Sequence, residues 1–458
     1  MKEGVKMADT IAAIATGQQV AAIGIVRMSG ERSIEIADQV FRPYHGGDLS
    51  SQKDRKLLYG ELRNRQGDLL DICMCTISRG PNSYTGEDTA EFQCHGSPML
   101  LRVLLQELFS RGARQAEPGE FTKRAFLNGR MDLSAAEAVI DLIDAETEES
   151  VRNAAGQLSG AIHRKADAVY TELMNMSAHF HAVLDYPDED IEEFEIEQYS
   201  TKLREGRSAL ERLLRTFERG KLMNSGIPTA IIGLPNAGKS SLLNALLGYD
   251  RAIVTDIPGT TRDTVEERVQ LGGVNLRLID TAGIRETEDR VEQLGVQRSR
   301  DAASKAQLVL AVVDGSAEDG SEASGIIQTA EQAEHGIVVI SKSDLEQRTH
   351  HLNTALPVIS VSSVTGEGLV QLEEEIRLLF PLPQVPAGEI LTNARQADAV
   401  RRAEESMQAA CDALEQGMTP DIILTETENA MQALGELTGA SIREDITNRI
   451  FSRFCVGK

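Results

Sequence analysis

The sequence of 458 residues contains no tryptophan and few aromatic side chains, which make up 4% of the chain. Aromatic platforms on which nucleic-acid bases could stack are therefore scarce. Basic charge is also in deficit, because 47 lysines and arginines stand against 71 acidic residues and the net charge is −24. Phosphate contacts need clustered Lys and Arg, so the chain is not expected to grip nucleic acid by electrostatics alone. If it acts on RNA, a basic partner or a locally basic surface must do much of the holding, although acidity can also serve only solubility.

Cysteines and long apolar runs are scarce as well. The five cysteines are scattered, and Cys73-x-Cys75 has neither redox nor zinc spacing, so both thiols are expected on one face of a strand. We find no disulfide framework, no signal peptide and no apolar run near ~18 residues. The eight histidines show no ligand spacing. These absences predict a cytoplasmic protein with reduced thiols and no membrane segment.

A phosphate-binding motif is the strongest positive signal. Residues 233–240 read GLPNAGKS and satisfy the pattern G-x-x-x-x-G-K-[ST]. The apolar run at 230–232 predicts a strand, and SLLNALLG at 241–248 predicts a helix that closes at a glycine. The loop amides and the helix N-terminus together form an anion cradle. Lys239 is expected to reach the β- and γ-phosphates, and the Ser240 hydroxyl to ligate Mg²⁺.

Two further motifs, GTTRD and then DTAG at 280–283, follow in the order expected of a guanine-nucleotide hydrolase. A strand over 276–279 would deliver Asp280 to the Mg²⁺ side, and Gly283 offers an amide to the γ-phosphate. More apolar strands follow, with helical patterns between them. This alternation predicts a mostly parallel sheet covered by helices, with the ligand at the carboxyl ends of the strands.

A base-recognition motif is expected directly after the predicted strand at 337–340. SKSD at 341–344 stands where these GTPases usually carry NKxD. Asp344 can accept from guanine N1 and N2, which adenine cannot satisfy, and Lys342 can pack its stem on the base. Ser341 lacks the amide that normally reaches the base and braces the phosphate loop, so we expect GTP specificity to persist with weaker affinity. The predicted nucleotide contacts, including the final base-contacting loop in SVSSVTGEG, are Asn236, Ala237, Gly238, Lys239, Ser240, Ser241, Thr255, Asp256, Ile257, Pro258, Gly259, Thr260, Thr261, Asp280, Thr281, Ala282, Gly283, Ser341, Lys342, Ser343, Asp344, Ser362, Ser363 and Val364.

The catalytic apparatus departs from the common small-GTPase pattern. Many small GTPases place a glutamine directly after DTAG to orient the attacking water, whereas this chain has Ile284. Asn236 and GTTRD instead resemble the potassium-activated GTPases, in which K⁺ takes the place of an arginine finger and neutralises developing charge. On spacing alone, Glu292 would be an ordinary solvated helix charge. The residues implied by the resemblance are Asn236, Thr255, Ile257 (through its carbonyl) and Thr260 for K⁺, Ser240 and Thr261 for Mg²⁺, and Glu292 for the water.

The rest of the sequence predicts three regions around the GTPase domain at 221–380. Residues 1–120 mix short strands and one helix, which predicts an α+β module. Residues 121–220 are helical, with the SAAE at 134–137 predicted as a capping box. Residues 381–458 return to helix after the stiff linker PLPQVP. The order predicts a multidomain protein in which a Ras-like P-loop GTPase domain is inserted into a discontinuous helical domain.

Within the first region, apolar patterns predict strands over 23–28, 69–77 and 90–93 and a helix over 99–109. The turn-rich segment GPNSYTGEDTAEFQCHG at 80–96 is predicted to be a binding loop.

Family-specific signals stand at the two ends of the chain. IFSRFCVGK occupies 450–458, and the first region holds DTIAAIAT, GIVRMSG, NSYTGED and PGEFTKRAFLNGRMDLSAAEAVIDLIDA. Together these segments closely resemble the tRNA uridine-5-carboxymethylaminomethyl modification GTPases, the MnmE (TrmE) family. The resemblance covers essentially the whole chain.

This resemblance implies that residues 1–120 bind folate and also form a homodimer. It implies an MnmG (GidA)-like flavoprotein partner, which carries FAD and holds most of the tRNA, consistent with the acidity of this chain. The pair would place a carboxymethylaminomethyl or aminomethyl group on C5 of the wobble uridine of certain tRNAs. One carbon would come from a tetrahydrofolate derivative of the 5-formyl or 5,10-methylene type.

Carried over by position, the implied folate contacts are Arg27, Glu91, Arg130 and Lys458. Arg27 and Arg130 could pair with the glutamate tail or a pterin carbonyl, and Glu91 with the donor edge of the pterin. Without the motif context, surface ion pairing would be the default interpretation. Cys455 matches the functional C-terminal cysteine of the family and is the implied catalytic thiol, although a free thiol can also be packing filler.

Two other functions remain open on the sequence. The same GTPase motifs would serve a non-enzymatic switch in ribosome assembly, against which stand the acidic charge and the N-terminal region. A degenerate paralogue that folds but binds GTP poorly is the other, and Ser341 is its main support.

Overall fold

The computed structural model of the protein describes residues 9–17, 19–185, 196–248, 267–271, 273–279, 300–317, 323–348, 352–381, 385–441, 444–452 and 454–457. Residue contacts divide the chain into two compact units. The first unit comprises Met1–Ile140, Leu158–Leu203 and Glu405–Lys458, and the second comprises Asp141–Gln157 and Arg204–Glu404.

The strands and helices are numbered here in chain order. The strands are β1 (Ile11–Ile14), β2 (Ala21–Ser29), β3 (Phe41–Pro43), β4 (Leu58–Arg63), β5 (Leu69–Ser78), β6 (Thr89–Gly96), β7 (Arg114–Gln115), β8 (Ile227–Gly233), β9 (Glu267–Leu271), β10 (Val274–Leu278), β11 (Leu308–Asp314), β12 (His335–Ser341) and β13 (Val358–Ser360). The helices are α1 (Ser33–Val40), α2 (Pro98–Ser110), α3 (Glu120–Leu127), α4 (Leu133–Ile143), α5 (Glu148–Leu158), α6 (Ala161–Asp185), α7 (Ile196–Leu214), α8 (Phe217–Ser225), α9 (Lys239–Gly248), α10 (Ser324–Glu331), α11 (Leu369–Leu379), α12 (Ala394–Glu415), α13 (Pro420–Thr438) and α14 (Glu444–Phe451). None of these helices combines the length and apolarity needed to span a lipid bilayer.

The first unit is built on a sheet with the strand order β3-β4-β5-β6-β2-β1-β7. Neighbouring strands run antiparallel, except that β7 runs parallel to β1. Alternate side chains such as Val26, Met28 and Phe92 point into one core, to which α1 and α2 contribute. The predicted α+β fold is therefore confirmed, and each predicted strand and the helix at 99–109 falls inside an observed element.

Long helices complete the first unit. Helix α6 packs against α13, and the His181 imidazole on α6 lies 3.1 Å from the Glu428 carboxylate on α13. Helix α14 packs against α3, where Phe126 and Phe451 bring their rings 6.3 Å apart. The segments before and after the inserted domain therefore share this unit.

The second unit is built on a sheet with the strand order β13-β12-β11-β8-β10-β9. All pairs are parallel except β9 with β10. Strand β11 has the sequence LVLAVVD and is buried along nearly its whole length, because each face of the sheet carries its own apolar cluster. The predicted parallel sheet covered by helices is confirmed.

Helix α5 holds the segment that follows the predicted linker. The Asn153 side chain donates to the Ile390 carbonyl and accepts from the N–H groups of Gly388 and Ile390, and the Gln157 amide donates to the same carbonyl. Both amide side chains are buried. Because buried polar groups must be paired, this segment has a defined path against α5.

The start of α4 corrects one prediction. The SAAE capping box was wrong, because Ser134 lies inside the helix. The Asp132 carboxylate instead accepts from the Ala135 N–H at 3.0 Å, in the position of an N-cap. Aspartate two residues earlier provides an equally good cap, which a motif search that starts from serine overlooks.

The guanidinium of Arg124 on α3 is almost completely buried, with 1% of its side chain exposed. It donates to the carboxylates of Asp9 (2.8 Å), Glu87 (3.0 Å) and Glu120 (2.8 Å). Burial acts to raise the pKa of Glu120, but hydrogen bonds from Arg114, the Glu117 N–H and Arg124 outweigh it and hold the pKa below its usual value. The charges are therefore kept in the interior by mutual pairing.

We predict that Arg124→Met lowers the free energy of unfolding by about 3–5 kcal/mol, because buried carboxylates lose their countercharge. Arg152→Met is the matched control, since Arg152 forms an exposed ion pair with Glu148 at the same four-residue spacing. Arg152→Met should lower the free energy of unfolding by less than about 1 kcal/mol. Urea unfolding followed by circular dichroism measures both values.

The stabilisation by these paired carboxylates depends on pH with a defined sign. A carboxylate with a lowered pKa stabilises the fold above its ordinary pKa, and this contribution is lost as the pH falls through the lowered value. The difference in the free energy of unfolding between wild type and Arg124→Met should therefore become smaller in acid. Equal losses for the two variants at neutral pH would contradict the prediction.

Candidate functional site

The phosphate loop connects β8 to α9, as the motif predicted. Asn236 and Gly238 adopt left-handed backbone conformations, with φ of 61° and 93°. At Gly233 a Cβ atom would lie 2.5 Å from the Val312 carbonyl oxygen, so only glycine allows the loop to start this close to β11. The sequence of the loop thus sets its tight path at the end of the strand.

Lys239 begins α9 and turns its ammonium back over the loop. Its Nζ donates to the carbonyls of Gly233 (3.0 Å) and Leu234 (2.7 Å). Burial lowers the pKa of this ammonium. A phosphate oxygen in the loop would supply the anionic partner that favours its charged form.

Ser341 at the end of β12 reaches the phosphate loop. Its hydroxyl lies 2.6 Å from the Ala237 carbonyl and 3.1 Å from the Val313 carbonyl, and its side chain is buried. An asparagine amide was expected to be needed for this brace. The shorter hydroxyl makes it here because Gly238 lets the loop approach, since a Cβ at that position would stand 3.2 Å from the Ser341 side chain.

The Asp344 carboxylate is held by the loop after β13. Ser362 donates its hydroxyl to Asp344 Oδ1 at 2.7 Å and accepts from the N–H groups of Val364 and Thr365. Ser362 is fully buried. The carboxylate proposed to read guanine is therefore oriented by the predicted base-contacting loop.

The neighbouring Lys342 is also fixed. Its ammonium lies 2.6 Å from Asp314 Oδ2, at the end of β11. Burial acts to raise the pKa of Asp314, but hydrogen bonds from Lys342 and Ser316 outweigh it and hold the pKa below its usual value. The position of the Lys342 stem within the base-recognition motif SKSD is thereby fixed.

The parallel strands β8, β11, β12 and β13 all end at the edge where these residues lie. The structure brings the phosphate loop and the base-recognition residues together there. The other predicted residues lie outside the described ranges and are Thr255, Asp256, Ile257, Pro258, Gly259, Thr260, Thr261, Asp280, Thr281, Ala282, Gly283, Glu292 and Lys458.

A second group of predicted residues lies in the first unit. Arg27 on β2 faces Glu91 on β6 across the sheet, and their Nε and Oε1 atoms are 3.6 Å apart. The Arg27 guanidinium carbon lies 5.5 Å from the centre of the Phe121 ring. Its buried Nε has no hydrogen-bond partner among the described residues. A buried donor of this kind is suited to a carboxylate or carbonyl ligand.

The prediction of a loop over 80–96 was wrong for its second half, because Thr89–Gly96 forms strand β6. Residues 80–88 do form a turn-rich loop, which is held by hydrogen bonds from its neighbours. Ser29 donates to Glu87 at 2.7 Å, and Asn128 donates to the Thr85 carbonyl at 2.7 Å. Arg130 is exposed, and its Cγ lies 3.3 Å from the position of a Cβ on Gly86. Arg130 therefore stands beside the loop.

The chain near Cys455 also reaches the first unit's sheet. Val456 forms an antiparallel bridge with Pro118, and the Gly119 N–H donates to the Cys455 carbonyl at 3.3 Å. At Gly457, a Cβ would lie 2.4 Å from the Ile14 carbonyl oxygen. The Cys455 thiol is exposed, and Cys455 lies next to Gly119, the residue that precedes α3.

Sequence reasoning missed Phe121 and Arg124 as organising residues. Their only local signal is the i,i+4 pairing of Glu120 with Arg124. It gives no indication that Asp9 and Glu87 would converge on the same guanidinium.

Two protein-family models match the chain. The model described as the GTP-binding protein TrmE N-terminus covers residues 10–130. The model described as the MnmE helical domain covers residues 133–455.

Curated proteins match along almost the full length. The tRNA modification GTPase MnmE of Symbiobacterium thermophilum is 43% identical over 98% of this chain and 99% of that protein. The protein of the same name from Bacillus subtilis is 41% identical over 98% of this chain and 100% of that protein. Among solved structures, the G domain of the T. maritima FeoB iron transporter is 26% identical over 33% of this chain and 96% of that one, with a TM-score of 0.24.

We predict that Ser341→Ala weakens guanine-nucleotide affinity about fivefold, because a hydrogen bond to the phosphate loop contributes about 1 kcal/mol. Titration with a fluorescent GDP analogue measures the affinity. Ser110→Ala, which removes an exposed serine hydroxyl in the other unit, is the matched control. An affinity that Ser341→Ala leaves unchanged would show that the loop does not depend on this bond.

Proposed function

We propose that this chain, which belongs to the MnmE family of tRNA modification GTPases, couples K⁺-activated GTP hydrolysis to modification of the wobble uridine of certain tRNAs. It is a GTP hydrolase that acts in tRNA modification. With an MnmG-like, FAD-carrying partner it would form the carboxymethylaminomethyl or aminomethyl group at C5. We further propose that K⁺ activates the hydrolysis and that the chain binds a tetrahydrofolate derivative. The chain would also form a homodimer and work with this partner.

The arrangement at the strand ends supports GTP as the nucleotide. The main support is the hydrogen bond from Ser362 to Asp344, which orients the carboxylate. An oriented carboxylate can accept both guanine donors, whereas adenine offers it no matching pair of donors. The phosphate loop lies at the same edge, so one ligand can engage both. Lys239 would then exchange its loop carbonyls for phosphate oxygens and hold the negative charge in place.

The donor set of the phosphate loop suits the implied cations. Ser240 is exposed in the first turn of α9 and offers a hydroxyl oxygen, a hard ligand of the kind that Mg²⁺ prefers. Asn236 is exposed, and its left-handed backbone places an amide oxygen on the loop. A monovalent cation bound there would supply positive charge near the phosphates, while Asn236 would position it.

The first unit supports binding of a folate. The Arg27 Nε, which has no hydrogen-bond partner in the described part of the chain, lies beside the Glu91 carboxylate. The Arg27 guanidinium also lies beside the buried Phe121 ring. A pterin combines a flat ring with donors and acceptors along its edge, which matches this mixture of ring, carboxylate and guanidinium. Arg130 would add a second cation for the glutamate tail.

Cys455 supports a covalent role in the same unit. Its thiol is exposed, whereas Cys73, Cys75, Cys94 and Cys411 are buried. The bridge between Pro118 and Val456 holds it close to the start of α3, which carries Phe121. Only a thiol open to a ligand can act as a nucleophile.

We predict that GTP turnover is faster in K⁺ than in Na⁺ and that Asn236→Ala removes most of this preference. A lost charge-stabilising group costs about 10²-fold in turnover. Phosphate release at matched ionic strength measures the rates. Asn429→Ala, an exposed asparagine on α13, is the control. Equal wild-type rates in the two salts would refute the role of K⁺ while leaving GTP hydrolysis intact.

We predict that the chain restores modified wobble uridines in a bacterial host that lacks its own MnmE and that Cys455→Ser does not. Mass spectrometry of tRNA nucleosides measures carboxymethylaminomethyl and aminomethyl uridines. Cys411→Ala, which removes a buried thiol, is the control and should still restore them. Full modification with Cys455→Ser would exclude the nucleophilic role. No modification with wild type, at equal expression and with its own MnmG-like partner supplied, would contradict the proposed function.

A further inference from the structure

Three ligand-bearing side chains converge at one end of the β5–β6 pair. Asp71 and Cys73 lie on β5 and Cys94 lies on β6, and one ligand atom from each falls within 4.8 Å of the other two. The strand register pairs Met74 with Gln93, which places Cys73 opposite Cys94. We propose that Asp71, Cys73 and Cys94 bind a thiophilic divalent cation of the zinc class.

The surroundings make this grouping unusual. Both thiols are buried, with 4% and 2% exposure, in a core that is otherwise apolar. A carboxylate with only 9% of its side chain exposed stands against them. Donors from Ile72 and His95 hold this carboxylate in place, and a cation would add a direct countercharge.

His95 fixes the Asp71 carboxylate beside the thiols. Its backbone N–H donates to Oδ2 at 3.0 Å, and its Nδ1 lies 2.8 Å from Oδ1. Oδ1 also accepts from the Ile72 N–H at 2.8 Å. Each carboxylate oxygen carries two lone pairs, so one pair on Oδ2 remains for a cation. A histidine hydrogen-bonded to a ligating carboxylate is a common way to orient a metal ligand.

The two thiols would supply anionic ligands to the ion. Cys73 and Cys94 are both buried, and their sulfur atoms lie within 4.8 Å of each other. A bound zinc-class ion takes thiolates as ligands and releases their protons.

The ligand set defines the class of the ion. Asp71 links the buried thiols to His95, whose side chain is 75% exposed. Three protein ligands leave a fourth tetrahedral position for water. Thiolates favour zinc-like ions, whereas Mg²⁺ and Ca²⁺ prefer oxygen ligands alone.

The cluster is separate from the candidate folate contacts. Side chains alternate along β6, so Cys94 points into the core to which α1 and α2 contribute, while Glu91 points to the other face with Arg27. A bound ion would join the two central strands β5 and β6 from inside. Its test therefore needs no GTP turnover and no tRNA.

Co²⁺ titration of the reduced, chelator-treated full chain tests the proposal, because cobalt–thiolate bonds give a near-ultraviolet charge-transfer band. We expect one equivalent to bind with a two-thiolate band that Zn²⁺ abolishes. Cys94→Ser should remove most of the band. Cys75→Ser is the matched control, since Cys75 is the next inward-facing thiol on β5 and lies outside the cluster.

His95→Gln is the variant least able to disturb folding, because its side chain is exposed. It should weaken Co²⁺ affinity about 10-fold or more through loss of carboxylate orientation, with an unchanged circular dichroism spectrum. Absence of the band in wild type would overturn the proposal. So would a band that persists in Cys94→Ser but disappears in Cys75→Ser or Cys455→Ser.

Discussion

The buried guanidinium of Arg124 determines how the first unit is assembled. Its partners Asp9, Glu87 and Glu120 come from the segment before β1, the turn-rich loop and α3. A buried charge with fewer partners would be strongly unfavourable, so these segments must meet in one arrangement. The loop beside Arg130 and the helix that carries Phe121 are placed as a result.

The second unit depends on a different constraint, the common direction of its central strands. Parallel strands bring their carboxyl ends to one edge, where the loops that follow them must lie together. Short hydroxyl side chains then join these loops. Ser341 connects β12 to the phosphate loop, and Ser362 connects the loop after β13 to Asp344. A ligand that spans this edge would contact loops that are already tied to one another.

Much of this architecture follows from local sequence patterns. The apolar runs of β8, β11 and β12 and the glycines of the phosphate loop are sufficient to predict the sheet and its ligand-bearing edge. The cap of α4 was predicted at the wrong residue, because Asp132 and Ser134 are both suitable side chains two positions apart. The Arg124 cluster could not be predicted, since its partners are brought together only by tertiary folding. The hydroxyl brace of Ser341 depends on how closely β12 and the phosphate loop approach each other, which is set by tertiary folding.

The bridge between Pro118 and Val456 has a consequence for biosynthesis. During translation, Pro118 leaves the ribosome long before Val456, and the entire GTPase domain is made in between. The backbone at Pro118 therefore lacks its bridge to Val456 while the nascent chain lengthens. Cys455 reaches its position beside α3 among the last events of folding. An arrested or truncated product would carry a complete GTPase domain and a first unit that still lacks the bridge from Val456.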